Sequence, residues 1–232
     1  QPYDDMRNRV GNVRVVGELW GMSPLTHPLK AGALLVTDVG DRSIGGRVKW
    51  VDEAAKNAVR CQLGATFGDV FEFLKNDPAN MRLANQPGFS GLTVAGVVGT
   101  GGHGSGLRFG PLASLVSRIE LADVAGGAGR KEFLRGGPDF ELAVTHLGRL
   151  GPVRSIDLDV RKGFHIAETR SIHHIPKDGL PTLIQEAIDE QRDDDGLHSI
   201  EIWVTPYADG DGHHTVAYGR RRFTDAPAMG KR

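Results

Sequence analysis

The stretch NQPGFSGLTVAGVVGTGGHGSGLRFGP, from Asn85 to Pro111, decides the fold. Nine of its 27 residues are glycine. Glycine adopts positive φ at low cost and lets the backbone come close to a ligand or to another segment. It also loses much conformational entropy on folding. A ligand that meets successive backbone N–H groups can compensate for this loss, and phosphate is the usual occupant of such a cradle. The apolar run from Leu92 to Val98 and the lack of a Gly-X-Y period exclude a flexible linker and collagen.

Residues 99–104 match the pattern GxGxxG, which is typical of dinucleotide-binding Rossmann folds. That pattern follows a strand and opens a long helix, whereas Ser-Gly-Leu-Arg-Phe-Gly-Pro comes next here and cannot form one. The sequence therefore disfavours a Rossmann site. A Walker phosphate loop is excluded, because no glycine precedes Lys-Ser or Lys-Thr.

The segment LTVAGVVGTGGHGSG, about thirty residues after GATFGDV, resembles the flavin-binding domain of the vanillyl-alcohol-oxidase family of FAD-linked oxidases. The resemblance covers about residues 10–165 and, in outline, residues 165–220. It implies an α+β fold in which residues 1–162 form a FAD-binding domain of two α+β subdomains, split near residues 64–80, with FAD between them. Residues 163–232 are similar to the beginning of the family's α+β cap domain, which covers the substrate.

The resemblance also implies which residues hold the cofactor. The loop after the first strand corresponds to the family's first pyrophosphate loop, the glycine-rich segment supplies the second contact, and a later Gly-turn leads into a strand beside the cofactor. At that turn Pro152 stands where a residue with an N–H is more usual, so Val153 is the better donor. The residues implied are Gly17, Trp20, Gly21, Met22, Ser23, Pro24, Pro87, Gly88, Thr93, Gly96, Gly99, Thr100, Gly101, Gly102, His103, Gly104, Ser105, Gly106, Gly151 and Val153.

Some family members bond the flavin covalently through a histidine of the first loop. In the matching run, Trp20-Gly-Met-Ser-Pro-Leu25, Trp20 occupies the histidine position. An indole cannot form that linkage, so we expect FAD to be bound non-covalently. His27 lies nearby but needs a shift of several residues, and a surface histidine is the better interpretation.

Hydrophobic periodicity predicts the main elements. A helix is expected after Gly64, with Thr66 as its cap, Asp69 in its first turn and a buried stripe of Phe67, Val70, Phe71 and Leu74. A second amphipathic helix is expected over 180–191, with Leu183, Ile184, Ala187 and Ile188 on its apolar face. A first helix is expected over residues 3–11. Strands are expected at 13–16, 33–37, 48–51, 58–63, 115–122, 132–134, 153–160, 164–172, 198–204 and 215–218.

Several single residues have two interpretations each. His103 either positions the cofactor or fixes the loop through a structural hydrogen bond. Thr100 and Ser105 suit phosphate oxygens or backbone caps. Cys61 is expected to be a small core residue rather than a reactive thiol. Adjacent histidines on a strand point to opposite faces, so the pairs 173–174 and 213–214 do not predict a metal site.

Composition excludes several classes of protein. The net charge of −1 and the absence of basic runs give no electrostatic support for nucleic-acid binding. A single cysteine excludes an internal disulfide framework. No apolar run approaches 18 residues, so no membrane span is expected, and no signal-peptide pattern is visible at the start, which favours a cytoplasmic location.

The resemblance predicts a FAD-dependent oxidoreductase, either an oxidase or a dehydrogenase. It would oxidise an alcohol-type substrate, such as a sugar, polyol or sterol, by hydride transfer to flavin, and pass the electrons to an acceptor. In polyol and sterol oxidases the catalytic base comes mostly from the cap and the C-terminal segment, so we expect it outside this chain, which looks truncated.

Two alternatives remain open at this point. One is a non-catalytic flavin-binding or scaffold subunit that works with a second polypeptide carrying the rest of the cap. The other keeps the fold and uses the cleft for a different ligand. The sequence leaves the substrate, the electron acceptor and the oligomeric state undetermined.

Overall fold

The structure is a computed structural model that describes residues 13–17, 19, 21, 33–36, 44–122 and 129–225. It divides into two compact units. The first comprises the described residues up to Gly104 together with Pro111–Lys162, and the second comprises Ser105–Gly110 together with the described residues from Gly163 onward. Both contain strands, and helices accompany them, which confirms the α+β class. The helix predicted for residues 3–11 lies outside the described residues.

The first unit is built on a five-stranded antiparallel sheet in the order β3-β4-β8-β6-β7. A parallel pair, β1–β2, and a short antiparallel pair, β5–β9, accompany it. The strands are β1 (Val13–Val16), β2 (Ala33–Val36), β3 (Val48–Trp50), β4 (Ala58–Gln62), β5 (Met81–Arg82), β6 (Val116–Ala122), β7 (Arg130–Leu134), β8 (Val153–Asp159) and β9 (Arg161–Lys162). The helices are α1 (Ile44–Arg47), α2 (Phe67–Asn76), α3 (Val94–Gly99) and α4 (Phe140–Val144), with a 3-10 turn at Leu112–Leu115.

Helix α2 begins where the sequence predicts it. The side chain of Thr66 accepts a hydrogen bond from the backbone N–H of Asp69, and the Asp69 carboxylate accepts one from the backbone N–H of Thr66. This reciprocal capping box satisfies two backbone donors that a helix start leaves unpaired. Phe67, Val70 and Leu74 are buried in the core, which confirms the predicted stripe.

The core of the first unit lies between the sheet and its helices. It combines inward-facing strand residues such as Val59, Ile156 and Leu158 with the apolar face of α2. Cys61 is buried among them, as predicted, and burial raises the pKa of its thiol far above the ordinary range. A buried, protonated thiol of this kind is a packing group rather than a nucleophile.

The second unit is a three-stranded antiparallel sheet in the order β10-β12-β11. Its elements are β10 (His165–Pro176), α5 (Leu180–Asp193), β11 (Leu197–Val204) and β12 (His213–Thr224), with a 3-10 turn at Lys177–Gly179. Helix α5 packs against β11. Glu190 of α5 accepts hydrogen bonds from Arg220 and Tyr218 of β12.

One detail of the predicted apolar face of α5 is wrong. Ala187 is buried, but Ile184 is 46% exposed, and the polar Gln191 is buried instead. The helix is rotated so that Gln191 can accept a hydrogen bond from the backbone N–H of Leu107. A long-range polar contact of this kind leaves no trace in a hydrophobic periodicity.

Candidate functional site

The apolar half of the glycine-rich segment is a short helix, α3. The Thr93 side chain caps it by accepting a hydrogen bond from the backbone N–H of Gly96, at 3.3 Å. Val94, Val97 and Val98 are buried and hold the helix on the core. GxGxxG therefore begins at the end of a helix rather than after a strand, and residues 105–111 are not helical. The structure rules out the Rossmann interpretation of this motif.

The backbone of the turn after α3 supplies hydrogen bonds to the carbonyl groups at the end of that helix. The backbone N–H groups of Thr100, Gly101 and Gly102 donate to the carbonyls of Gly96, Val98 and Val97, respectively. Gly101 has a φ of +72°, as is usual for the residue that ends a helix in the left-handed region. None of these three donors is therefore left for a ligand.

The next two backbone N–H groups, those of His103 and Gly104, are not paired within the turn. Within the described part of the chain, the N–H groups of His103 and Gly104 have no hydrogen-bond acceptor. The exposed His103 side chain lies with its Nδ1 atom 3.0 Å from the carbonyl oxygen of Gly104. A carbonyl only accepts, so Nδ1 donates, and neutral His103 has its acceptor nitrogen at Nε2. The His103 side chain thus makes a local hydrogen bond to the next residue, and the backbone N–H groups of His103 and Gly104 remain without an acceptor among the described residues.

Close packing within the first unit disfavours a side chain at three glycines of this turn, most strongly at Gly104 and Gly102. A Cβ atom on Gly104 would overlap the backbone oxygen of Gln86 and the side-chain oxygen of Asn85. On Gly102 it would lie 2.5 Å from a methyl group of Val97, and on Gly99 it would lie 3.1 Å from His146 Nε2. Close contacts within the chain therefore explain part of the glycine density of this segment.

The first predicted cofactor loop meets the glycine-rich segment at one point. Gly17, directly after β1, lies so close to Thr93 that a Cβ would be 2.7 Å from the threonine hydroxyl. The structure thus brings together two segments that the sequence separately assigns to the cofactor. Gly21 is exposed, and no described residue lies within 4 Å of its Cβ position. Other residues of this loop, Trp20, Met22, Ser23, Pro24 and His27, lie outside the described residues.

Four further residues predicted for the cofactor site, Pro87, Gly88, Gly151 and Val153, belong to the first unit. Pro87 is buried, whereas Gly88 is exposed with open space around it. Gly151, with a φ of +116°, precedes strand β8, against which α3 packs. Val153 is buried and pairs with Leu121 in the sheet.

Two polar residues that the sequence did not single out lie against the turn. Asn85 is 6% exposed and His146 is 9% exposed. Asn85 Oδ1 accepts from the N–H of Gln86, and His146 Nδ1 accepts from the N–H of Gly148, both at 2.9 Å. Desolvation lowers the pKa of His146, so its imidazole is neutral at pH 7. In the sequence Asn85 lies between Ala84 and Gln86, and His146 lies between Thr145 and Leu147, and neither context is distinctive enough to be diagnostic.

Ser105 and Gly106 belong to the second unit. The hydroxyl of Ser105 donates to Glu201 at 2.6 Å. Gly106 has a φ of +107°, and a Cβ there would lie 2.7 Å from the carbonyl oxygen of His198. Arg108 pairs with Asp195 and donates to the carbonyl of Arg192. The sequence treated residues 99–106 as one site, whereas the structure divides them between two units at Gly104.

Two further properties concern the described part of the chain as a whole. No group of three or more His, Cys, Asp or Glu side chains there is arranged to hold a metal ion. None of the helices in those residues has the length and apolar character needed to cross a membrane.

Comparison with known proteins identifies relatives of the chain. It is 39% identical over 88 residues to alditol oxidase from a Streptomyces strain, covering 38% of this chain and 21% of that protein. It is 29% identical over 143 residues to L-gulonolactone oxidase from Mus musculus, covering 62% and 30%. The chain is a homologue of the FAD-linked oxidases of the vanillyl-alcohol-oxidase family. No family model matches it.

The fold is shared with two solved structures. A cholesterol oxidase structure from Brevibacterium sterolicum superposes with a TM-score of 0.69 at 18% sequence identity, covering 98% of this chain and 44% of that chain. A second cholesterol oxidase structure gives 0.68 at 17% identity, with 95% and 43% covered. The chain thus spans less than half the length of each of these proteins.

Proposed function

We propose that the first unit binds FAD non-covalently and that the protein is a FAD-dependent oxidoreductase acting on the CH–OH group of an alcohol. The observation that carries the proposal is the close approach of Gly17 to Thr93. It joins the loop after β1 to the glycine-rich segment, the two stretches that the sequence assigns to the cofactor. The homology to alditol and L-gulonolactone oxidases supports the same chemistry.

The local chemistry of the first unit fits a dinucleotide. The backbone N–H groups of His103 and Gly104 have no acceptor among the described residues and suit phosphate oxygens. Open space at Gly21 and Gly88 lets a ligand approach the backbone. We propose that the other residues of the first unit named from the sequence for this role complete the contact, without the backbone N–H groups of Thr100, Gly101 and Gly102, which are paired within the turn. Trp20 in the first loop supports non-covalent binding.

We further propose that the first unit is the FAD-binding domain, with its two α+β subdomains, and that the second is the beginning of the cap domain. When bound, flavin accepts a hydride from a carbon that bears a hydroxyl group. The protein's contribution in the first unit is to bind and orient the cofactor. A sugar, polyol or sterol is the proposed substrate class, with a separate electron acceptor.

A visible absorption spectrum of the purified chain, before and after acid precipitation, tests the proposal. We expect flavin bands that move into the supernatant, as non-covalent FAD requires. Colour that stays in the pellet would contradict the non-covalent link. A folded chain that stays colourless after FAD is added would contradict flavin binding altogether. Bound flavin without turnover of sugars, polyols or sterols would favour the non-catalytic flavin-binding subunit.

A further inference from the structure

Two buried polar side chains lie at the two ends of the GxGxxG turn. His146 Nε2 is the atom nearest to the Cβ position of Gly99, at 3.1 Å, where the motif begins. The Asn85 carboxamide lies against Gly104, where the motif ends. Both side chains are more than nine-tenths buried. Neither His146 Nε2 nor Asn85 Nδ2 has a hydrogen-bond partner in the described part of the chain.

The other polar atom of each side chain fixes which atom is the unpaired donor. His146 Nδ1 accepts from the backbone N–H of Gly148, so the proton of the neutral ring is on Nε2. Asn85 Oδ1 accepts from the backbone N–H of Gln86, so the carboxamide presents its NH₂ group on the remaining side. Each residue therefore offers an N–H group of known identity.

An unpaired buried donor is costly, because the group loses its hydrogen bonds to water and gains none in return. Such groups are uncommon in folded proteins and call for a specific explanation. Here the explanation must cover two donors placed at the two ends of one turn. A ligand bound at that turn, with an acceptor atom for each donor, would satisfy both N–H groups.

We infer that His146 and Asn85 are cofactor-binding residues, and that their N–H groups donate to acceptor atoms of FAD. The inference rests on the proposed function and adds two side chains to a site otherwise built from backbone. FAD carries acceptors of two kinds, phosphate oxygens and ring carbonyl oxygens, and a neutral donor serves either. The apo protein then holds two donors at a cost that the bound cofactor removes.

The test compares apo stability with FAD affinity. His146→Leu removes the donor and keeps an apolar side chain, whereas His146→Gln keeps a donor nitrogen near the position of Nε2. For His146→Leu we expect an unchanged or raised melting temperature of the apo protein. We also expect the dissociation constant for FAD, measured by flavin fluorescence, to rise about tenfold. His146→Gln should recover most of that affinity.

A residue that only supports the fold would behave in the opposite way. A lower apo melting temperature for His146→Leu with unchanged FAD affinity would overturn the inference. Asn85→Leu provides an independent second variant, judged by the same pair of measurements if His146→Leu does not fold. Failure of the wild-type chain to bind FAD would instead contradict the proposed function, so the two failures are distinguishable.

Discussion

The two halves of the glycine-rich segment are held by different forces. Residues 94–104 pack on the apolar core of the first unit, through the buried face of α3 and glycines that exclude any side chain. Residues 105–110 are held in the second unit by polar and ring contacts, including Ser105 with Glu201 and Phe109 against His198. In the first half the backbone N–H groups of His103 and Gly104 have no acceptor among the described residues, whereas the Ser105 and Arg108 side chains of the second half are paired.

This difference shows that glycine density has more than one cause. A glycine can be required because another part of the same protein lies too close for a side chain, as at Gly104. It can also be required by a positive φ, as at Gly106. The donors that we assign to a ligand are the backbone N–H groups of His103 and Gly104 and the buried side-chain donors of Asn85 and His146.

The largest expected effect is that of Gly104→Val in the first half. The added side chain would overlap the Gln86 backbone oxygen and Asn85, and neither the backbone nor the buried carboxamide can move freely. We expect a loss of about 3 kcal/mol in unfolding free energy and loss of FAD retention. Gly88→Val is the matched control, because no described residue lies within 4 Å of its Cβ position. Equal unfolding midpoints for the two variants in urea would contradict this packing account.

The corresponding change in the second half is Gly106→Ala. Its φ of +107° and the nearby His198 carbonyl oxygen predict a cost of about 2 kcal/mol. Hydrogen exchange locates the effect: protection should fall in β11 and persist in α2. Gly210→Ala, in open space, serves as the control. Equal loss of protection in β11 and α2 would mean that the two halves are not held independently.

Thr93→Ala should have a smaller effect at the start of α3. It removes the cap on the Gly96 N–H, which is worth about 1 kcal/mol. Thr93→Ser keeps the hydroxyl and should retain most of this stability. Thermal unfolding of both variants measures the difference. If serine and alanine destabilise equally, the methyl group that packs near Gly17 is the important part, rather than the cap.

The buried imidazole in the first unit predicts a pH dependence. Desolvation alone lowers the pKa of His146 below its ordinary value of 6.5. As pH falls through 6.5 the unfolded chain binds a proton that the folded chain does not, so unfolding free energy should fall. His146→Gln should remove this component. Urea unfolding from pH 8 to pH 5 measures it, and identical slopes for wild type and variant would contradict it.

Arg108→Ala in the second half should have the smallest effect. Its partner Asp195 is fully exposed, and exposed ion pairs contribute little. We expect a change of about 0.5 kcal/mol or less in unfolding free energy, with FAD affinity unchanged. A loss comparable to that of Gly106→Ala would show that this charge contact, rather than the backbone at Gly106, holds the second half in place.

Much of the fold could be predicted because its signals are local. The capping box of Thr66 and Asp69 and the stripe of α2 are complete within a few residues of chain. Strand β12 was predicted too short, because its length depends on its partners β10 and β11. Helix α3 was missed because Gly96 and Gly99 disfavour a helix, and burial of its valines outweighs that preference.

The candidate site was predictable only in part. The two stretches that meet at Gly17 and Thr93 each have a recognisable pattern, so sequence alone could name them. The division at Gly104 depends on contacts with residues nearly a hundred positions away, such as Glu201. The roles of Asn85 and His146 depend on which of their atoms lack a partner, and only the folded structure contains that information.

The most direct test of the central claim is a titration of the apo chain with FAD, followed by flavin fluorescence, for wild type and Gly104→Val in parallel. We predict saturable binding of one FAD per wild-type chain and no binding by the variant. Absence of binding by a folded wild-type chain, or equal binding by both proteins, would contradict the assignment of the glycine-rich turn to the cofactor.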